Sequence, residues 1–179
     1  MCIRDRVIFE ENEVIKKDGT PYTVFTPYKK KWLQLFDRER DLISYKLNLE
    51  QLHQFNTELM TLRYLGFEES KINVKPYNFS SVKTYDQTRD FPVKDTTSYL
   101  SPHLRFGTIS VREVVKSGLE LNAVFLSELI WREFFMQILF HFPQVVTENF
   151  KRKYDAIPWR NNEIEFQKWC KGETGYPIV

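Results

Sequence analysis

The run Ala123-Val124-Phe125-Leu126-Ser127-Glu128-Leu129-Ile130-Trp131-Arg132-Glu133-Phe134-Phe135-Met136-Gln137-Ile138-Leu139-Phe140-His141-Phe142 decides the fold. It is apolar almost all the way round, which predicts a buried helix over 123–142 and a mainly α protein around it. Glu128, Arg132, Glu133, Gln137 and His141 interrupt it too often for a membrane span. At about 100° per residue these polar positions form two stripes. Glu133, Gln137 and His141 share one side, the expected solvated face. Glu128 and Arg132 lie opposite, one turn apart, flanked by Phe125, Trp131, Phe135 and Leu139. A buried charge without a partner is expensive, so this pair needs a reason. It either closes a helix contact as an i, i+4 ion pair or serves a ligand.

Upstream, Ser110 with Glu113 three residues on predicts a capping box, and Ser101-Pro102 fits a helix start. Thr97-Ser98-Tyr99-Leu100-Ser101 brings small hydroxyls and backbone amides to that entrance, which suits an anionic diphosphate but also suits simple capping. Residues 37–83 are polar and weakly patterned, with a helix expected over roughly 50–64 and Leu65-Gly66-Phe67-Glu68 as its stop. Near the start, Val7-Ile8-Phe9 and Tyr22-Thr23-Val24-Phe25 read as short strands around a turn at Asp18-Gly19. Pro27 is expected to end the second strand before a helix beginning near Tyr28 and carrying Trp32, Leu33 and Phe36.

The chain has 179 residues, enough for one substantial core or a domain plus a fragment. Its 42% hydrophobic and 28% charged content excludes a disordered class. A net charge of +2 is too small to argue nucleic-acid binding, and the clusters Lys29-Lys30-Lys31 and Lys151-Arg152-Lys153 read equally as solvated faces. Aromatic content of 16% fits either a Phe-rich core or a site that stacks flat conjugated partners. Cys2 and Cys170 form no Cys-x-x-Cys pattern, and His53, His103 and His141 form no i, i+4 pair. A cytoplasmic, reducing setting and no metal are expected. No secretory signature opens the chain.

Four blocks in the same order and spacing resemble the flavin-binding half of the DNA photolyase/cryptochrome family. They are Tyr85 with Arg89-Asp90-Phe91-Pro92, then Thr97 to Gly107, then Glu128 to Phe135, and finally Gly175-Tyr176-Pro177-Ile178-Val179. The resemblance is greatest to class I cyclobutane pyrimidine dimer photolyases. It implies the N-terminal half of a helical FAD-binding domain over 84–179, truncated at its C-terminus, and a connector over 37–83. Residues 1–36 would be the end of an α/β antenna domain, residues 1–6 matching nothing and reading as an artefact.

The resemblance further implies FAD as cofactor, touched by Tyr85, Thr97, Ser98, Tyr99, Leu100, Ser101, Phe125, Glu128, Arg132 and Phe135, with the Arg132 guanidinium suited to a pyrophosphate. An antenna chromophore of folate or deazaflavin type is implied for a full-length protein. UV-damaged DNA would be met by Arg89, Glu128 and Trp131, although Arg89 reads equally as a partner of Asp90 or another carboxylate. Trp131 would stack on a flipped-out dimer, and Glu128, kept protonated by an apolar setting, would hydrogen-bond it. Trp159 matches the outermost tryptophan of the family's photoreduction chain, and Trp169 is taken as structural. The implied activity is that of a deoxyribodipyrimidine photo-lyase, light-driven repair by electron transfer from reduced FAD, in a monomer away from membranes. A (6-4) photolyase or a cryptochrome photoreceptor is the alternative; the absence of a histidine near Glu128 and the presence of both Glu128 and Trp131 lean towards dimer repair.

Overall fold

The computed structural model describes residues 6–43, 48, 50, 52 and 58–176. They form two compact units, Met1–His141 and Phe142–Val179. The first contains α1 (Phe25–Leu35), α2 (Arg38–Asp41), α3 (Tyr85–Thr88), α4 (Leu100–Phe106), α5 (Val111–Leu121) and α6 (Ala123–His141). The mainly helical class read from the sequence holds. Among the described residues the only β pairing is an isolated antiparallel bridge between Ile15 and Pro21.

The long apolar run forms α6 as expected, and α1, α3 and α5 pack on it. Two local devices fix its entry. Asn122 Oδ1 accepts from Val124 N at 3.0 Å and Phe125 N at 3.1 Å, capping α6, while its Nδ2 donates to Asp86 Oδ1 of α3 at 2.7 Å. On α5, a Cβ placed on buried Gly118 would stand 3.3 Å from Leu126 Cα, so a side chain there would press the two helices slightly apart. Ser110 caps α5 as expected, accepting from Arg112 N at 3.3 Å.

The polar stripe of α6 expected to meet solvent is buried instead. Glu133 is 3% exposed and Gln137 7%. The segment before α1 covers this stripe and hands it its backbone donors. Glu133 Oε2 accepts from Ile8 N at 2.8 Å, and Oε1 accepts from Phe9 N at 3.3 Å, Trp32 Nε1 at 2.8 Å and Tyr28 OH at 3.4 Å. Gln137 Nε2 donates to the Glu10 carbonyl at 3.1 Å, and His141 Nε2 lies 2.8 Å from the Glu11 carbonyl. Helical periodicity identified the stripe, but a long-range partner reversed its environment. The same bonds explain why Val7-Ile8-Phe9 forms no strand: its amides meet a carboxylate rather than a ladder.

Other expectations near the start hold in part. The Asp18-Gly19 turn forms, with Gly19 at φ 78° and Thr20 N donating to Asp18 Oδ1 at 3.0 Å. Tyr22-Thr23-Val24-Phe25 is not a strand, because α1 already begins at Phe25. Pro27 sits in the first turn of α1, where its missing N–H leaves no intrahelical bond unmade. Part of the helix expected over 50–64 lies outside the described residues; 58–61 are irregular and 62–66 form a turn rather than a helix. That turn stops at Gly66 as expected, at φ 84°, with Phe67 N donating to the Leu62 carbonyl at 3.0 Å.

The second unit holds two 3₁₀ turns, Pro143–Val146 and Arg152–Tyr154, and α7 (Glu163–Lys171). Asn162 caps α7 by accepting from Ile164 N at 3.0 Å and Glu165 N at 3.2 Å, and Gly172 ends it at φ 72°. Trp169, read as structural, stacks on Phe166 with centroids 5.9 Å apart on an exposed face.

Two outcomes follow from this packing. Gly118→Val inserts branched carbons where one Cβ already crowds Leu126, so urea denaturation should show a loss of about 1–3 kcal/mol; an unchanged midpoint would mean α5 and α6 can separate freely. Burial pushes the Glu133 carboxyl up from 4.5 to about 7, against the opposing pull of the Ile8 amide, the Trp32 indole, the Phe9 amide and the Tyr28 hydroxyl. The unfolded chain therefore releases this proton near 4.5 and the folded chain near 7. The contribution is fully present below the lower value and is lost as pH rises through the upper one. The stability of the wild type relative to Glu133→Gln should fall by on the order of 3 kcal/mol across that window and then level off. A difference that is constant with pH would contradict it.

Candidate flavin and nucleic-acid site

The face of α6 that carries Glu128 and Arg132 borders a cavity of about 1060 Å³ in the first unit. Phe125, Glu128, Leu129, Arg132, Met136, Leu139 and Phe140 line it from α6; Tyr85, Thr88 and Arg89 from α3 and its C-terminal cap; Leu100, Ser101 and Leu104 from α4. The loop before α4 adds Phe91, Thr97 and Ser98.

Each wall has a local cause. Asn122 ties the start of α6 to α3, and Tyr85 meets Phe125 edge to face with centroids 5.3 Å apart. The loop is anchored where Asn78 N donates to the Ser98 carbonyl at 2.8 Å. Tyr99 precedes α4 at φ 54°, a left-handed conformation that a bulky side chain adopts only when held there. It is held by its hydroxyl, which donates to Asp95 and accepts from Lys75 Nζ at 2.8 Å. His103 secures α4 from behind, with Nε2 3.0 Å from the Lys75 carbonyl and Nδ1 2.8 Å from Thr108 Oγ1.

The Glu128–Arg132 ion pair that helical spacing allows does not form. Glu128 Oε1 accepts from Arg89 Nη1 at 2.6 Å, and both side chains are about one third exposed. Arg89 also lies 3.5 Å from Asp90 Oδ1 and over the Tyr85 ring at 5.3 Å. The Glu128 bond, first, and the neighbouring negative charge hold the Arg89 guanidinium above its usual value. Glu128 is thus engaged by a cation across the cavity wall rather than set among apolar groups as a donor. Arg132 Nη1 donates to the Arg6 carbonyl at 2.6 Å, and Nη2 to the Leu104 carbonyl at 3.4 Å. Burial lowers its guanidinium below the usual value. A half-buried cation held by neutral carbonyls is an arrangement that an anionic ligand would complete.

The structure gathers Tyr85, Arg89, Thr97, Ser98, Leu100, Ser101, Phe125, Glu128 and Arg132 around one space. Four expected site residues lie elsewhere. Tyr99 turns away into the Lys75–Asp95 network. Trp131 stacks face to face on Phe25 of α1 with centroids 3.6 Å apart, and Phe135 stacks on Trp131 at 5.3 Å. Trp159 belongs to the second unit and is 70% exposed. The sequence reading missed Met136, which continues the Glu128–Arg132 stripe by one more turn, and Phe91 on the loop. The final Pro177-Ile178-Val179 lies outside the described residues.

The cavity fits FAD in size and in chemistry. It joins the aromatic side chains of Tyr85 and Phe125 to hydroxyl residues and to the Arg132 guanidinium, a lining of the apolar-plus-polar kind that such a cofactor takes. The family described as the FAD binding domain of DNA photolyase matches residues 125–179. The deoxyribodipyrimidine photo-lyase of Halobacterium salinarum is 33% identical, over 98% of this chain and 42% of its own length. That of Alkalihalophilus pseudofirmus is 31% identical, over 98% of this chain and 41% of its own. The crystal structure of a bacterial class III photolyase from Agrobacterium tumefaciens superposes with a TM-score of 0.74 at 29% identity, covering 97% of this chain and 41% of that one. That solved relative is of class III, whereas the sequence resemblance pointed to class I. The chain thus spans about two-fifths of the length of these relatives, and its likeness to the DNA photolyases, read first from four sequence blocks, is shown over nearly its whole extent.

Proposed function

We propose that this chain carries one wall of the FAD site and part of the lesion-facing surface of a deoxyribodipyrimidine photo-lyase that repairs cyclobutane pyrimidine dimers in DNA. The observation that carries the reading is the convergence of Tyr85, Thr97, Ser98, Ser101, Phe125, Glu128 and Arg132 on one cavity with Arg89 at its wall. Arg132 binds the pyrophosphate, with the hydroxyls of Thr97, Ser98 and Ser101 completing its polar cradle. Tyr85 and Phe125 supply apolar faces for the ring system. When bound and reduced, FAD supplies one electron to the dimer under blue light and takes it back after the ring bonds split.

Arg89 and Glu128 do the work towards DNA. A backbone phosphate competes with Glu128 for the Arg89 guanidinium, since both are anions that suit its fork. Engagement of Arg89 frees the Glu128 carboxyl to face the flipped-out pyrimidine dimer; photolyases are themselves a standing example of base flipping. Trp131, packed between Phe25 and Phe135, stiffens the aromatic wall behind Glu128. A direct lesion contact by Trp131, and an electron-relay role for Trp159, would both need other conformations or further parts of the protein.

Three measurements test this reading. Fluorescence titration of wild type and Arg132→Ala with FAD and with riboflavin, which lacks the diphosphate, should show FAD weakened about tenfold or more and riboflavin unaffected. Equal losses would remove Arg132 from the phosphate role. The Arg89–Glu128 pair is solvent-screened, so Arg89→Ala and Glu128→Gln should leave the thermal midpoint unchanged within error; a large drop would make the pair structural. In the full-length enzyme, Glu128→Ala should lower repaired dimers per absorbed photon at an unaltered flavin spectrum. Loss of flavin together with stability would instead return Glu128 to packing.

A further inference from the structure

The two sides of α6 are connected through the chain that precedes α1. On one side Glu133 holds the amides of Ile8 at 2.8 Å and Phe9 at 3.3 Å. On the other, Arg132 donates to the carbonyl of Arg6 at 2.6 Å, only two residues before Ile8. Val7, between them, is 1% exposed and has no room to swing. The segment therefore straps across α6, pinned by a carboxylate at one end and pinning a guanidinium at the other. The second anchor of Arg132, the Leu104 carbonyl, is longer at 3.4 Å, so the strap supplies the better bond.

We infer that Glu133, which reaches neither the cavity nor any ligand in it, is a positioning residue for Arg132, acting through the backbone of residues 6–9. The consequence for binding rests on the reading of Arg132 as the phosphate-binding cation; the mechanical coupling itself does not. Adjacent residues of one helix point about 100° apart, so Glu133 cannot steer Arg132 by direct contact. The route runs through backbone hydrogen bonds, which makes it separable from the general stability that Glu133 confers. Trp32 provides the control. It donates to the same carboxylate at 2.8 Å but lies on α1, off the route from Ile8 to Arg6.

The test uses the 179-residue chain with isotope-labelled arginine, at pH 8, where Glu133 is ionised. NMR then reads the rotation rate of the Arg132 guanidinium, its signal identified by its loss in Arg132→Lys. Glu133→Gln keeps one acceptor for the Phe9, Tyr28 and Trp32 donors but turns its NH₂ group towards the Ile8 amide, and it should speed rotation about tenfold, the equivalent of losing one bond to a charged group. Trp32→Phe should lower the thermal midpoint and leave the rotation rate unchanged. If Glu133→Gln does not fold, Glu133→Asp, which keeps the charge but falls short of Ile8, decides by the same criterion. Arg132 as slow in the folded variant as in the wild type would overturn the inference, as would an equal effect from Trp32→Phe. Neither measurement uses flavin, so a failure of the phosphate reading would appear separately, as unaltered FAD affinity in Arg132→Ala.

Discussion

A single buried carboxylate organises the first unit. Glu133 stands in the middle of the most apolar helix in the chain, removed from water, and is surrounded by four donors from two other segments. Burying a carboxylate is costly unless its lone pairs are met, and meeting them dictates what must lie nearby. Ile8 and Phe9 have to cross α6 at that level, and Trp32 and Tyr28 have to face inward from α1. An apolar residue in the same place would allow the segment before α1 many resting positions; a carboxylate allows one. The aromatic cluster of Phe9, Trp32 and Phe36 then packs around a frame already fixed by hydrogen bonds.

The cavity follows from the same arrangement. With its Glu133 stripe covered, α6 turns to the cavity the neighbouring face, which carries Glu128, Arg132 and Met136 at successive turns. The covering segment also brings a carbonyl around to Arg132, so the charge in the cavity is oriented by chain whose side chains belong to the core. Asn122 sets the Tyr85 wall by tying α3 to the start of α6, and Gly118 lets α5 pack closely against the same end. Structure and chemistry meet on a single helix, one side holding the fold together and the other left for a ligand.

Helical periodicity made α6 and its two stripes legible, and the cap at Ser110 and the turn at Asp18-Gly19 followed from local residue types. Three of the four family-like blocks contain much of the cavity lining. What could not be read was which stripe faces the core. Periodicity ranks residues by polarity, and by that measure Glu133, Gln137 and His141 look solvated; their partners lie more than a hundred residues away. The same blindness paired Glu128 with Arg132, one turn off, when its cation comes from Arg89, 39 positions away in sequence. Trp131, three residues from Glu128, shares its broad face by spacing, yet its ring stacks on Phe25 of α1, a partner about a hundred positions away that helical spacing does not reveal.

The most direct test of the account is a crystal structure of the protein with FAD and a dimer-containing DNA duplex. The account predicts the pyrophosphate within hydrogen-bond distance of Arg132, the flavin ring beside Tyr85 and Phe125, and Arg89 on a DNA phosphate, parted from Glu128. Flavin bound away from this cavity, or an Arg89–Glu128 pair that stays closed with the lesion in place, would contradict it.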